Sequence, residues 1–493
     1  MRAVVLEHPR ISSEKRFNDI ANTPLWSCLM GGYGAAALEG SGLDVKFVDH
    51  AFLGATFEAT TEEILSLAPD LLAVNAVYFW EHSNKLFDFF TNLKRRGFAG
   101  HLSLFGFFPS LVYGDILKMV TAVDSIAVGE FEHTLVELSN AIANKRSLKE
   151  IEGLATRGEG ATVLLVSRTP DYDLDRFHFP RRNPGASTAT ILGSRGCYNN
   201  CSFCLVPTFD TQKRGWRGRS PLNIFREMEI LVAEGVRDFY FADPNFIGPG
   251  KKGRARTLQL LELLRPLNIT FGMETRPNDL DDEILGHLVG AGMTSLLMGI
   301  ESGSANILRH IRKSSTTSVG AEAIQLCRDH GVDPEIGFLM FVTDATLPDL
   351  RENILFLKSN GLLDRLERTA NLLSHKQIVM AGTTGYGEYE KQGRLEKSGV
   401  FGFEGEVRFV DKKVEWISEL VIFACSMVLR AMSEEHSPIF WRNTVSPVFG
   451  ATNQYLVSLF DALLAEAETA RTLDDIIFRQ QEIRKEILTL LTT

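Results

Sequence analysis

Hydrophobic positions along the first third of the chain come in short runs, separated by longer amphipathic stretches. The runs have the length and β-branched content of buried strands, and the stretches between them have helical period. This alternation is typical of a parallel sheet covered by helices. We therefore predict an α/β domain over residues 1–145, with strands at RAVVLE, DVKFVDH, LLAVNAV, HLSLFG and DSIAVGE.

The pattern changes twice along the rest of the chain. Residues 146–187 are polar and contain prolines, as in DYDLDRFHFPRRNPGAS, which predicts an ordered linker. Over residues 188–376, strands again alternate with helices, which predicts a partial parallel (β/α)6 barrel with its functional residues at the carboxyl ends of the strands. Its strands are TATILGSR, RDFYFAD, ITFGMETR, SLLMGIES, EIGFLMFV and a sixth ending near LLSHKQ. Residues 377–493 have mainly helical period, which predicts a helical C-terminal domain.

Composition narrows the class of protein. The net charge of −10 lacks the basic footprint of a nucleic-acid-binding protein, so we expect no nucleic-acid partner. We find no uncharged apolar run long enough to span a bilayer and no secretion signal, so we expect a cytoplasmic protein without a membrane partner. The basic run KRGWRGR, residues 213–219, is interpreted as a solvated loop, with contact to an anionic substrate or a cofactor carboxylate as the alternative.

Three of the six cysteines lie within the stretch SRGCYNNCSFC. A zinc site wants four ligands, usually as two spaced pairs, so the spacing C-x3-C-x2-C with no fourth cysteine nearby fits zinc poorly. A [4Fe-4S] cluster tolerates three protein thiolates and leaves one iron open. A structural metal loop or three incidental cysteines is the alternative. Cys28, Cys327 and Cys425 lie alone on apolar helical faces and are interpreted as buried free thiols.

This spacing after a first barrel strand resembles the radical S-adenosylmethionine (SAM) superfamily, and Phe203, just before the last cysteine, matches that motif as well. The resemblance implies that Cys197, Cys201 and Cys204 bind a [4Fe-4S] cluster whose open iron chelates SAM. Reductive cleavage of SAM would then give a 5'-deoxyadenosyl radical that abstracts hydrogen from a substrate. The protein would position the cofactor and exclude water.

The ends of later strands resemble the segments that hold SAM in this superfamily. Asp243, in FADPNF, is a candidate for the methionyl ammonium, and a helix N-cap is its alternative role. In METRPN, Glu274 and Arg276 point to the same side of the strand and are both candidates for binding SAM. Arg276 is the candidate for the methionyl carboxylate, unless it merely pairs with Glu274.

The segment MGIESGS matches the family pattern G-x-E-S-G at the fourth strand. There Gly299 would allow close backbone approach, and Glu301 or Ser302 would contact ribose.

Residues 1–145 resemble the cobalamin-binding-like Rossmann domain that precedes the barrel in one branch of the superfamily, and the likeness with the barrel covers residues 1–375. Bulky aromatic residues, Tyr78, Phe79, Trp80 and Phe108, occupy loops where smaller residues are common. They either stack on a corrin or fill its place, and the sequence leaves both interpretations open. The chain lacks the D-x-H-x-x-G stretch that supplies a histidine to cobalt, which decides little because many members of this branch lack it.

Three functions follow as hypotheses. The first is cobalamin-dependent methylation of an unactivated carbon in a small molecule or peptide, with an electron donor such as flavodoxin or ferredoxin. The second is a cobalamin-free radical dehydration, epimerisation or rearrangement, in which Glu335 and His375 are the candidate acid and base groups. The third, from another class, is an iron-sulfur redox sensor.

Overall fold

The short apolar runs form strands and the amphipathic stretches form helices. The computed structural model describes residues 1–13, 27–209, 215–440, 447–472 and 479–492. The strands are β1 Arg2–Glu7, β2 Asp44–Asp49, β3 Leu71–Asn75, β4 His101–Phe105, β5 Ser125–Ala127, β6 Leu154–Arg157, β7 Val163–Leu165, β8 Thr188–Ile191, β9 Ser194–Arg195, β10 Arg217–Gly218, β11 Asp238–Phe241, β12 Thr270–Thr275, β13 Met293–Glu301, β14 Glu335–Phe338, β15 Val379–Met380, β16 Leu395–Ser398 and β17 Glu404–Val407. The helices are α1 Ser27–Gly40, α2 His50–Leu53, α3 Phe57–Leu67, α4 Asn84–Arg95, α5 Phe107–Met119, α6 Glu132–Ala143, α7 Val206–Phe209, α8 Pro221–Ala233, α9 Gly250–Leu264, α10 Asp282–Gly290, α11 Ala305–His310, α12 Thr317–Asp329, α13 Leu347–Ser359, α14 Leu366–Ser374, α15 Thr384–Lys391, α16 Lys412–Ser433, α17 Pro447–Thr469 and α18 Gln480–Thr492.

The first sheet has the strand order β2-β1-β3-β4-β5-β6-β7. Strands β1 to β5 are parallel, and successive residues of β1 enter different hydrophobic clusters on the two faces, Val4 in one and Val5 in the other. Strands β6 and β7 add an antiparallel edge beyond residue 145. Part of the predicted linker therefore extends the first sheet.

The second sheet is the parallel barrel, with the order β14-β13-β12-β11-β8. The predicted sixth strand is reduced to one parallel bridge between Phe341 and Lys376, because the chain leaves the barrel at Val379 and pairs with β17 instead. The α/β fold class, with a Rossmann-like sheet followed by a partial barrel and C-terminal helices, is confirmed. The domain boundaries at residues 145, 187 and 376 stay predictions.

The C-terminal part begins with a small antiparallel sheet of order β15-β17-β16 and continues with α16, α17 and α18. Although it carries charged residues, α16 is long and apolar enough to cross a membrane by length and composition. More than half of that stretch, 56%, is buried, and α16 packs against α14 and α17. A core helix of a globular protein meets the same criteria.

Two arginines of the basic run, Arg217 and Arg219, are not solvated as we predicted. Arg217 forms an ion pair with Glu130 at 2.7 Å, and Arg219 forms one with Glu227 at 2.5 Å. Both arginines are buried because each side chain meets a buried carboxylate. Lys213 and Arg214 lie outside the described residues.

Candidate active site

The cysteine loop, residues 196–205, follows β8 and β9 at the carboxyl end of the first barrel strand. The backbone N–H of Ser202 donates to the carbonyl of Ile311 at 2.9 Å, and the N–H of Gly385 donates to the carbonyl of Ser202 at 2.7 Å. Phe203 packs against the barrel core. The loop is thus held between the end of α11 and the start of α15.

The three thiols have an environment that suits an iron-sulfur cluster. Cys201 is buried, and the side-chain amide of Asn199 donates to its Sγ at 3.0 Å. Burial raises the pKa of all three thiols, while the charge of Lys313 acts in the opposite direction on each of them. No group of three His, Cys, Asp or Glu side chains within the described ranges is arranged to hold a single metal ion. The loop therefore fits a cluster with several irons better than a mononuclear zinc site.

Arg276 lies just beyond β12 and is buried. It donates to the carbonyl of Ser314 at 2.7 Å, its guanidinium lies 4.9 Å from the ring centroid of Tyr198, and its charge lowers the pKa of Cys197. Its buried Nε has no hydrogen-bond partner in the part of the chain that the structure describes. This donor fits a ligand carboxylate, because an unsatisfied buried N–H is costly.

Glu274 does not pair with Arg276. Its carboxylate accepts a hydrogen bond from the hydroxyl of Tyr240 at 3.3 Å. Burial raises the pKa of Glu274 to about 7. The carboxylate has no cationic partner among the described residues, so it is available to an ammonium group of a ligand.

Gly299 is closely approached by side chains of the protein itself. A Cβ at this position would lie 2.6 Å from Glu301 Oε1 and 2.8 Å from Lys313 Nζ, so the close approach is made by a protein ion pair. Lys313 Nζ lies 2.9 Å from Glu301 Oε1, and both residues are buried. Glu301 has a φ of 71°, in the left-handed region that non-glycine residues seldom adopt. A contact of Glu301 with ribose stays a prediction.

Two other predicted ligand residues brace the fold. Asp243 accepts hydrogen bonds from the N–H of Gly193 at 2.9 Å and the hydroxyl of Ser194 at 2.5 Å, and burial raises its pKa to about 6. Asp243 is not a helix N-cap. Its hydrogen bonds hold the segment that leads into the cysteine loop. The hydroxyl of Ser302 is fully buried and donates to Asn353 Oδ1 at 2.7 Å, and its contact with ribose stays a prediction.

The candidate acid and base groups lie apart from the residues just described. Glu335 is the first residue of β14, about half-exposed, and ion-paired to Arg365 at 2.8 Å and to Arg368. This position at the amino end of a strand explains why it does not join the strand-end residues. His375 follows α14 and lines a cleft beside the small C-terminal sheet.

The aromatic residues of the first domain are packed against protein. Phe108 and Tyr78 are 2% and 8% exposed, and their ring centroids lie 4.8 and 4.7 Å from that of Phe403. The Tyr78 hydroxyl also donates to Glu404. These rings fill space between the first sheet and the C-terminal sheet. A role of the rings in stacking on a corrin stays a prediction.

A cavity of about 210 Å³ lies at the carboxyl ends of β4 and β5, lined in part by Ser110, Gly129 and Glu130. Pockets that enclose drug-sized ligands measure about 300–1,000 Å³. This cavity by itself is therefore too small for a whole corrin. The parallel order of β1 to β5 is the feature of this domain that fits a cobalamin-type cofactor, since ligands bind at the carboxyl ends of such strands.

Sequence reasoning missed several residues around the cysteine loop. Lys313 and Tyr198 come together with Arg276 only in the fold, and Tyr198 donates to Asp279 at 2.6 Å. Asn199, between the first two cysteines, is the one that the spacing could have indicated, because an amide there can donate to a thiolate.

Comparison with known proteins identifies the barrel. Residues 191–365 match the model of the radical SAM superfamily. The chain is 26% identical over 332 residues to an uncharacterized methyltransferase of Pyrococcus horikoshii. The aligned residues make up 64% of this chain and 70% of that protein. It is also 27% identical over 364 residues to an anaerobic magnesium-protoporphyrin IX monomethyl ester cyclase of Synechocystis. That alignment covers 70% of this chain and 69% of the relative.

Solved structures share the whole arrangement. The cobalamin-dependent SAM radical enzyme OxsB, with aqua-cobalamin bound, matches with a TM-score of 0.74 and 17% identity over 99% of this chain and 75% of that chain. The radical SAM methyltransferase TsrM from Kitasatospora setae, with cobalamin and a [4Fe-4S] cluster bound, matches with a TM-score of 0.65 and 15% identity over 95% of this chain and 98% of that chain. At this identity the likeness shows a common fold.

Proposed function

The chain belongs to the radical SAM superfamily, and we propose that it is a cobalamin-dependent methyltransferase acting on an unactivated carbon of a small molecule. As a radical SAM enzyme, it uses a [4Fe-4S] cluster and SAM and acts on a small-molecule substrate with a reductant. The observation that carries the proposal is the cysteine loop with the buried cations Lys313 and Arg276 beside it, on a chain that shares its fold with OxsB and TsrM.

When bound, the cluster and SAM supply a 5'-deoxyadenosyl radical, and cobalamin supplies a methyl group. Cys197, Cys201 and Cys204 bind the cluster, with Asn199 donating to the Cys201 sulfur. Arg276 binds the methionyl carboxylate through its unsatisfied Nε. The loop is held between α11 and α15, and its burial limits the access of water to Cys201.

Glu274 is the proposed partner of the methionyl ammonium. It has no cationic partner within the described ranges and lies on the strand that leads into Arg276. An acid and a guanidinium at one strand end match the two charges of an amino acid zwitterion. Binding of the ammonium would keep Glu274 ionised against the effect of burial.

A second candidate is a cobalamin-free radical dehydration, epimerisation or rearrangement. The observation that favours it is the packing of Tyr78 and Phe108 against Phe403, which fills space next to the first sheet. In either case we propose cytoplasmic residence with flavodoxin or ferredoxin as the electron donor, because a reducing compartment preserves cysteine-bound clusters.

Cofactor loading tests the proposal. The protein is reconstituted anaerobically with iron and sulfide, incubated with hydroxocobalamin, desalted, and analysed for iron, cobalt and its visible spectrum. We expect about four irons and about one cobalt per chain, followed by 5'-deoxyadenosine formation when SAM and dithionite are added. Iron without cobalt would reject methylation in favour of the second candidate. Iron without SAM cleavage would favour a redox sensor.

A cysteine pair provides the matched control. Cys201→Ala is expected to abolish iron loading and 5'-deoxyadenosine formation because it removes one cluster ligand. Cys327→Ala removes a buried thiol on α12, outside the loop, and is expected to retain both. Retention of SAM cleavage by Cys201→Ala would contradict the assignment of the cluster.

A further inference from the structure

A cleft of about 370 Å³ lies where the barrel lacks a full sixth strand. Its walls are the end of α14, residues 375–379, β17 and one face of α16. This volume falls within the range of about 300–1,000 Å³ that is typical of small-molecule sites. The barrel edge, the C-terminal sheet and a C-terminal helix therefore form one ligand-sized space.

Gln377, which lines the cleft, has an unsatisfied hydrogen-bond acceptor. The residue is only 4% exposed, and its Oε1 is buried with no hydrogen-bond partner in the described part of the chain. Leaving a buried acceptor unsatisfied costs about 1–3 kcal/mol. A ligand hydroxyl or ammonium in the cleft would supply the missing donor.

The charges of the cleft select against anions. Glu404 and Glu406 contribute carboxylates from β17, and no arginine is present among the described residues that line the cleft. The one lysine, Lys376, has its Nζ 4.8 Å from the ring centroid of Phe409. Carboxylates without a guanidinium favour ammonium and hydroxyl groups over carboxylate or phosphate groups.

The remaining walls suit a compact polyol body. Ser398 and Ser426 provide hydroxyls, His375 provides a ring nitrogen, and Ile422 and Leu429 form an apolar side on α16. Sites of this kind fix orientation with a few polar groups against an apolar wall. The set fits a hydroxylated ring that carries an amine.

The cleft and the cysteine loop share one buried hydrophobic cluster. Val379 lines the cleft and belongs to the same buried hydrophobic cluster as Leu205, the residue after Cys204. On the other strand of the small sheet, Glu404 lines the cleft and accepts a hydrogen bond from Tyr78 of the first domain. Strands of the small sheet that line the cleft thus also contact the first domain and share a hydrophobic core with the end of the cysteine loop.

We propose that this cleft binds the substrate, and that the substrate is a compact hydroxylated amine of the amino-sugar class. The assignment of the ligand as substrate rests on the proposed function. It gives His375 a role in binding, as a hydrogen-bond partner of a substrate hydroxyl, in place of the acid or base role predicted from the sequence.

Three probes of one size and different charge test the cleft: glucosamine, glucose and glucuronate. Their affinities for the reconstituted full-length enzyme are measured by isothermal titration calorimetry, without reductant, so the result does not depend on turnover. We expect millimolar binding of glucosamine, weaker binding of glucose, and glucuronate at least about tenfold weaker than glucosamine. Glucuronate binding as tightly as glucosamine, or no glucosamine binding up to about 100 mM, would overturn the proposal.

Variants place the binding in the cleft. Glu406→Gln is expected to weaken glucosamine by about threefold to tenfold and leave glucose within about twofold, because it removes a charge and keeps the shape. Gln377→Met is expected to weaken both sugars, since it removes the buried acceptor. The control is Glu396→Gln, an exposed carboxylate directly across the sheet from Glu406 that does not line the cleft.

The outcomes separate the two proposals. Equal loss of glucosamine affinity in Glu406→Gln and Glu396→Gln would place the binding outside the cleft and overturn the inference. Thermal melting by circular dichroism checks that each variant folds. Cobalt loading without selective glucosamine binding would reject only the proposal that the cleft binds an amino sugar. Selective glucosamine binding without cobalt loading would reject only the proposal of cobalamin-dependent methylation.

Discussion

Arg195→Met is expected to weaken the attachment of the cysteine loop to the first sheet. Arg195 immediately precedes the loop, and its guanidinium lies 2.5 Å from Glu132 Oε1 and 3.3 Å from Glu130 Oε1. Its side chain is 3% exposed, and that of Glu132 is 2% exposed. The guanidinium also lies 4.6 Å from the ring centroid of Phe177. The cation thus joins the start of the loop to α6 through a buried ion pair.

The magnitude follows from what the substitution leaves behind. Glu130 keeps a partner in Arg217, 2.7 Å away, whereas the other Glu132 oxygen already has no partner among the described residues. Removing Arg195 therefore leaves one buried carboxylate uncompensated, which costs about 3–5 kcal/mol. The double variant Arg195→Met with Glu132→Met removes both charges, so we expect it to cost at least about 2 kcal/mol less than the sum of the single variants.

The assay is urea unfolding followed by circular dichroism, together with iron per chain after reconstitution. Arg254→Met is the control, because Arg254 pairs with the exposed residues Asp281 and Glu283 and should cost at most about 1 kcal/mol. The reasoning would be refuted if Arg195→Met matched this control, or if the double-variant cycle showed no coupling. Full iron loading in a destabilised Arg195→Met protein would show that Arg195 contributes to stability but is not needed to position the cysteine loop for the cluster.

Three further predictions concern the strand ends. Arg276→Met should raise the dissociation constant of SAM by about tenfold or more with iron content unchanged, as measured by equilibrium dialysis; unchanged affinity would remove Arg276 from the SAM site. Burial raises the pKa of Glu274 from 4.5 to about 7. Between these two values the folded chain holds a proton on Glu274 that the unfolded chain releases. The contribution of Glu274 to the free energy of unfolding therefore falls as pH rises from 4.5 to 7, by at most about 3 kcal/mol. Glu274→Gln should therefore gain stability relative to the wild type between pH 5 and pH 8 in urea titrations, and a flat difference would contradict the burial argument. Gly299→Ala should lower the free energy of unfolding by about 1–3 kcal/mol, because its Cβ would overlap the Glu301–Lys313 pair; a neutral effect would show that this pair can move.

The features that sequence predicted well are local. The strands of both parallel sheets follow from runs of apolar residues, and the cysteine loop follows from spacing within a few residues. The sixth strand failed because its pairing depends on a competing partner, β17, that no local pattern reveals. The buried state of Arg217 and Arg219 was missed for the same reason, since their acidic partners come from other elements.

Roles of single side chains depended on tertiary partners even where the motif was right. Ser302 stands in the expected strand-end motif, yet Asn353 from α13 takes its hydroxyl. Glu335 has the chemistry of an acid catalyst, but its position at the start of β14 places it beside Arg365. A motif therefore locates a strand end, while tertiary contacts decide which polar atoms stay unsatisfied and become candidates for a ligand, as we propose for Arg276 and Gln377.

The charge around the cysteine loop shows why this distinction matters for function. Burial alone would keep the thiols protonated, which opposes binding of iron by thiolates. Lys313 and Arg276 act against this effect from segments that the sequence does not connect with the cysteines. Lys313 is already paired with Glu301, whereas Arg276 retains an unsatisfied donor. We therefore propose that the first cation serves mainly to set the electrostatic environment of the loop, and that the second, with its unsatisfied donor, binds an anionic group of SAM.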